Sequence, residues 1–321
     1  MLPCPLTPTL PRGGGRGGGR REDADEGESV KRDARRLVVL FLLPACVVYA
    51  VLFVYPVISS LLLSLYDWDG FTQQRHFVGL GNFTRLLGDD PIFWTALKHN
   101  AYLLSVPTAI ILAGALFFAA ALTSGIRGAR FFRITYFFPN VMSMVAITLL
   151  WSFIYNPSFG LLNAVIRPFQ HGKSATVWLD PNHIMPSLVA PIVWCALGFY
   201  LVLFLAGMEN IPSSFYDAAK VDGANAWQQF RSITMPLMWD VITVAVVFLV
   251  IGGLRIFDLI YVMALGYPNE QSQVISTYLY EQAFTNAHMG YGIAIAVVLF
   301  VLVFAATAIA MRLMRREQVE Y

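Results

Sequence analysis

The chain has 321 residues, 57% of them hydrophobic and 13% charged, with a mean hydropathy of +0.60 and a formal net charge of +2. Soluble globular domains carry about 25% charged and roughly 45–50% apolar residues, so this composition excludes an ordinary soluble domain and places the chain in a bilayer. The basic residues sit at the ends of apolar segments without forming a patch, which argues against a nucleic-acid partner, and Cys4, Cys46 and Cys195 stand apart, so neither a zinc cage nor a disulfide framework is indicated.

Residues 1–36 open with the Gly/Arg stretch Arg12–Arg20 and the acidic run Glu22–Glu28. Such a composition cannot bury enough surface to fold, and a disordered cytoplasmic tail is expected. It lacks a continuous apolar core, so no cleavable signal is expected either. The basic cluster Lys31–Arg36 would suit anionic membrane lipid, although flanking positive charge is expected at any such helix.

Six segments then reach the ~20 residues a membrane helix needs: Leu37–Leu63, Ala101–Leu122, Ile134–Tyr155, Ser187–Gly207, Leu237–Ile256 and Tyr291–Met311. They are too long and unalternating for barrel strands, and backbone groups in lipid must be satisfied within the segment. The expected fold class is therefore an all-α integral membrane protein with a six-helix transmembrane domain over 37–315 and a short tail at 316–321. Sixteen of the 22 Lys and Arg residues fall in the N-terminal tail, the loops holding Arg127–Arg133 and Lys220–Arg231, and the C-terminus. The positive-inside rule puts those parts, and both termini, in the cytoplasm.

The loop after the fourth span, about 209–236, has too much pattern for a connector. Ser214 and Asp217 have capping-box spacing just after Pro212, which predicts a helix start. Gly223 supplies a residue able to take positive φ where a helix must end in a sharp turn, and a second helix should run through Trp227 toward Ile233. Ala218, Ala219, Val221, Ala224 and Ala226 give the element a small, smooth surface, while Phe230 and Ile233 form an apolar stripe. Small residues allow close approach by another protein, although an amphipathic helix lying on the membrane interface would show the same pattern.

Asp217-Ala218-Ala219-x-x-Asp222-Gly223-Ala224, followed by Phe230-x-x-Ile233-x-x-Pro236, resembles the E-A-A motif of ABC-importer permeases, with Asp217 where that family usually has Glu. Gly79-Leu-Gly-Asn-Phe83, Phe138-Pro139, Trp151-x-x-x-Tyr155-Asn156-Pro157, Phe159-Gly-Leu-Leu-Asn163, Trp178-Leu179 and Phe257-Asp-Leu-Ile-Tyr-Val262 are similar to the sugar-permease branch, whose members import maltose and glycerol phosphate. The resemblance covers about Arg36 to Arg315. Where that branch usually has Thr-x-Gly-Gly-Pro, this chain has Ala264-Leu-Gly-Tyr-Pro268.

The resemblance implies a type I ABC importer permease in the bacterial cytoplasmic membrane. Implied partners are a second, similar permease, two ATP-binding subunits and an extracytoplasmic solute-binding protein. Asp217, Ala218, Ala219, Asp222, Gly223 and Ala224 would form the coupling helix and turn that dock on an ATPase, with Phe230, Ile233 and Pro236 anchoring the loop to its own bundle.

The chain itself shows no phosphate-cradling motif, because the near match Gly172-Lys173-Ser174 has Arg167 in place of the first glycine. No cofactor is therefore expected on this chain, ATP and Mg²⁺ belonging to the partner ATPase, and no enzymatic signature occurs inside a span. Intramembrane carboxylates of the kind an ion- or proton-driven carrier needs are scarce. His99, Glu209 and Asp240 sit near expected helix ends, and Arg255 and Asp258, three apart on one expected helix, form a candidate ion pair. Aromatic platforms with hydrogen-bonding neighbours make Asn140, Trp151, Trp194, Phe199 and Tyr200 candidates for a solute path, packing being the alternative for each. Pro139, Pro191 and Gly198 are expected to loosen helices.

Overall fold

The computed structural model describes residues 38–123, 128–169, 175–264 and 269–315. The expected N-terminal tail, the end of the chain, the Gly172–Ser174 motif and most of the Ala264–Pro268 turn lie outside them. Two units are distinguished, Met1–Ser59 and Ser60–Tyr321. In the first, residues 38–59 belong to helix α1, Val38–Leu63, whose large apolar side chains, Phe41, Leu52 and Phe53 among them, are exposed. Its turn Ala50–Val54 widens to a π-helix just ahead of Tyr55-Pro56. Proline has no N–H to donate and its ring clashes with the carbonyl four residues back, which accounts for the widening.

In the second unit the short hairpin β1, Tyr66–Asp67, and β2, His76–Phe77, precedes the next long helix. Its turn is held by Asp69, whose carboxylate accepts from the Thr72 and Phe71 amides at 2.9 and 3.0 Å. Those bonds, Thr72's first, hold the Asp69 carboxyl below its ordinary range.

Helix α2, Pro91–Thr123, starts ten residues before the apolar run does. The Asp90 carboxylate accepts from the Ile92 and Phe93 amides at 3.0 and 3.1 Å, and Pro91 occupies the first helical position, where its missing N–H costs nothing. Such a cap is worth about 1 kcal/mol. The other Asp90 oxygen accepts from the hydroxyls of Tyr278 and Tyr291, each at 2.5 Å, tying α2 to α10, Ile275–Tyr280, and α11, Met289–Met314. His99 thus lies inside the helix, where its Nδ1 meets the Gln273 carbonyl at 2.8 Å.

The expected third span is two helices, α3, Ala129–Val141, and α4, Met144–Ile154, bent by 101°. Pro139 weakens the last turn of α3, and Ser143, in extended conformation, caps α4 by accepting from the Ala146 amide at 3.2 Å. Helix α5, Ile184–Glu209, packs along α2 and α3. Gly198 does not loosen it: a Cβ there would fall on the Tyr136 carbonyl oxygen, so the glycine permits α3 and α5 to touch backbone to backbone.

Beyond α5 come α6, Ser213–Val221, then α7, Ala226–Leu237, which meets α8, Trp239–Leu254, at 68°. A short helix α9, Asp258–Met263, leads toward α10 and α11. By length and apolarity, α1, α2, α5 and α11 each suffice to cross a membrane, and the two bent pairs bring the possible spans to six. A core of Ile111, Ala115, Leu201, Phe204, Met208, Met238 and Ala245 joins α2, α5 and α8.

Candidate functional site

The segment between α5 and α8 is ordered by its own backbone. Helix α6 ends in a two-bond lock: the Ala224 amide donates to the Ala219 carbonyl at 2.8 Å and the Gly223 amide to the Lys220 carbonyl at 3.1 Å. This is the Schellman pattern, which requires a left-handed residue, and Gly223 has φ +77°. Nothing lies within 4 Å of a Cβ built there, so the demand on this position is conformational and not steric.

The expected capping box at Ser214 and Asp217 does not form. Helix α6 starts at Ser213 after Pro212, with no side-chain cap, and Asp217 instead pairs with Lys220 at 3.0 Å on the exposed surface. The box occurs at the next helix, where the Asn225 side chain accepts from the Gln228 amide at 3.0 Å and Gln228 accepts from the Asn225 amide at 2.8 Å. Its asparagine follows the glycine turn directly, so one helix is stopped and the next started within four residues.

The two faces of this helix-turn-helix differ. Asp217, Ala218, Asp222 and Gly223 are exposed, Ala219 and Ala224 are half-buried, and beside the turn Val221 is 88% and Trp227 66% exposed. Phe230 and Ile233 face the other way and pack against the core that contains Met208, Ile211 and Met238. The Tyr216 hydroxyl lies 3.0 Å from that of Thr234, binding the two helices to each other. Pro236 is exposed, and the turn before it, Phe230–Thr234, is π-helical for the reason that applies ahead of Pro56. Close by, Arg133 of α3 and Glu209 at the end of α5 pair at 2.5 Å.

A second feature is a cavity of about 270 Å³ walled by Pro107, Thr108 and Ile111 of α2, Cys195 and Tyr200 of α5, and Phe248 and Gly252 of α8, with Arg255 and Asp258 at one end. Of the five expected solute-path residues only Tyr200 lines it. Phe199 packs on Tyr200 and Phe248, its ring centroids 5.1 and 6.2 Å from theirs. Trp151 and Trp194 meet edge to face at 6.0 Å and the Asn140 amide donates to the Cys195 carbonyl at 3.4 Å, and none of these three lines the cavity.

Arg255 and Asp258 both line the cavity, but they are not an ion pair and do not share a helix. Helix α8 stops at Leu254, Arg255 is its C-cap, Asp258 opens α9, and no salt bridge within 4 Å joins them. The break is fixed by Asn100, fully buried in α2. Its amide donates to the Gly253 and Leu254 carbonyls at 3.3 and 3.2 Å, and its oxygen accepts from the Ile275 amide at 2.8 Å. The final carbonyls of a helix lack intrahelical donors, and Asn100 supplies one to two of them. A single Asn beside a long apolar run was the signal for this role.

Helices long and apolar enough to cross a membrane, joined by an internally locked helix-turn-helix with an exposed face and enclosing a cavity reached by Arg255 and Asp258, mark the chain as an integral membrane protein. The family described as binding-protein-dependent transport system inner membrane component matches residues 105–318, and the chain belongs to that family. A probable ABC transporter permease of Bacillus subtilis, YurN, is 36% identical over 277 residues, covering 85% of this chain and 94% of its own. The diacetylchitobiose uptake permease NgcF of Streptomyces coelicolor is 36% identical, covering 81% and 77% respectively. The trehalose/maltose permease MalF of Thermococcus litoralis is 31% identical, covering 87% and 94%. In fold the chain is similar to a crystal structure of a bacterial ABC transporter importing alginate, with TM-score 0.74 and 24% identity, over 91% of this chain and 100% of that one. The protein is thus a non-enzymatic permease of the ABC transporter class.

Proposed function

We propose that this chain forms half of the membrane path of an ATP-driven importer for a small polar solute, a sugar or oligosaccharide. It would pair with a second permease, with two ATP-binding subunits below and an extracytoplasmic binding protein above, both of its own termini facing the cytoplasm. The observation that carries the reading is the locked turn at Gly223, which offers the exposed α6 surface around Asp217 and Ala218 to a partner while Phe230 and Ile233 tie it to the bundle. ATP-driven movement of that partner would reach α5 and α8 through Met208 and Met238, the core residues on which the loop is seated. The sugar-transporting relatives support the solute class, and Tyr200, Phe248 and Phe257 in the cavity wall offer aromatic faces to a sugar ring. ATP and Mg²⁺ reside on the partner, and no other cofactor enters the scheme.

The test is uptake of labelled sugars by proteoliposomes containing the purified complex, with the binding protein outside and ATP inside. Uptake should require ATP and survive ionophores. Uptake that ignores ATP and collapses with the ion gradient would establish an ion-driven carrier instead.

A further inference from the structure

A second cavity, about 330 Å³, lies between the end of α4, the start of α5 and the end of α9. Ile184 on α5 and Met263 on α9 line it, whereas Ile192 on α5 and Leu259 on α9 line the first cavity, so the two are stacked along the same pair of helices. At 1.5 Å per residue, Ile184 and Ile192 are about 12 Å apart along the axis. Leu188 and Ile260, fully buried, stand between the two levels. With the termini in the cytoplasm, the cavity at the N-terminal end of α5 is the outer one.

Its chemistry differs from that of the inner cavity. Among the described residues its lining holds no acid or base, whereas Arg255 and Asp258 reach the inner one. Asn156 and Asn269 use their side-chain oxygens to cap local turns, accepting from Ser158 and Phe159 amides at 2.9 and 3.3 Å and from Gln271 and Ser272 amides at 3.1 Å each. Their NH₂ groups make no hydrogen bond among the described residues. Ser152 and Tyr155 donate to the Thr148 and Ser187 carbonyls at 2.9 and 2.6 Å, which leaves their hydroxyl oxygens free to accept. Two amide donors and two hydroxyl acceptors around an apolar wall suit a ligand that both donates and accepts through hydroxyls and presents C–H faces. No charged side chain among these lining residues offers an ion a counter-charge, and Pro157, Val177, Pro181 and Asn269 leave the cavity open to solvent on one side.

We infer that this outer cavity is a second solute subsite, holding one ring of an uncharged saccharide through Asn156 and Asn269 before it passes to the inner cavity. The inference rests on the importer reading above. Its test uses Asn156→Asp with Asn269→Asp, because a carboxylate keeps both turn caps while removing both amide donors. The assembled transporter, with its binding protein, is reconstituted and assayed with labelled maltose, lactose and diacetylchitobiose, sugar uptake and ATP hydrolysis being measured together. The expected result is uptake roughly tenfold lower per ATP hydrolysed, as for loss of two hydrogen bonds, with binding-protein-stimulated hydrolysis unchanged. Unchanged uptake per ATP would overturn the subsite alone, as would a parallel loss of uptake and hydrolysis, the signature of a merely structural role. Failure of the unaltered transporter to move any of the three sugars would overturn the sugar reading itself, and the subsite with it.

Discussion

The turn at Gly223 and the cavity at Arg255 are organised by opposite means. The turn closes through bonds between residues three to five apart, from Ala219 to Gln228, and keeps its outer face free. The cavity's wall at Gly253 and Arg255 is instead fixed by Asn100, which reaches residues more than 150 positions away to end one helix and anchor another. A self-contained turn can be presented to a partner without help from the bundle, whereas a cavity set by distant contacts changes whenever the helices shift. That division suits a transporter, in which one part must transmit force as a solid piece and the other must change shape.

The sharpest break in this comparison is Gly223→Val. With open space around the Cβ, the whole cost is the left-handed backbone, roughly 1–2 kcal/mol or more for a β-branched residue. Uptake should fall by about tenfold or more while insertion and pairing with the second permease persist, and normal uptake would remove the turn from the mechanism. Next in size is the cavity. Arg255→Asp and Asp258→Arg should each lower uptake about fivefold, and combining them should give no rescue, since residues that do not pair show little coupling in a double-mutant cycle. Recovery in the exchanged variant would show that they meet during transport. Smallest is Asn225→Ala, which removes one cap worth about 1 kcal/mol from a helix otherwise held by Phe230 and Ile233. Uptake should drop no more than severalfold, with the loss easing at lower temperature.

The same contrast explains what could be read from sequence. The helix-turn-helix was legible down to the φ of Gly223, because its rules are local. Even so, the cap was expected at Ser214 and found at Asn225: both positions satisfy the spacing, and Asn225, two residues after the Schellman glycine, has the extended backbone a cap needs. The apolar runs located the long helices but not their breaks. Hydropathy averages over Pro139 and Ser143, so a bent pair reads as one span. It also ignores Asp90, whose cap extends α2 past the apolar run. Arg255 and Asp258 looked like helical neighbours only because Asn100, remote in sequence, could not be seen ending α8 between them and Leu254. Of the residues expected along a solute path, only Tyr200 lines the cavity, because which side chains face it depends on how α4 and α5 are rotated, and that is fixed in part by Gly198 against Tyr136.

The most direct test of the central claim is to purify the tagged chain from its native membrane in mild detergent and identify its companions by mass spectrometry, beside the Asp217→Ala, Gly223→Val variant. The account predicts an ATP-binding subunit and a second permease with the unaltered chain, and loss of the ATP-binding subunit but not the second permease with the variant. An ATPase retained equally by the variant, or a well-folded chain that never brings one, would contradict it.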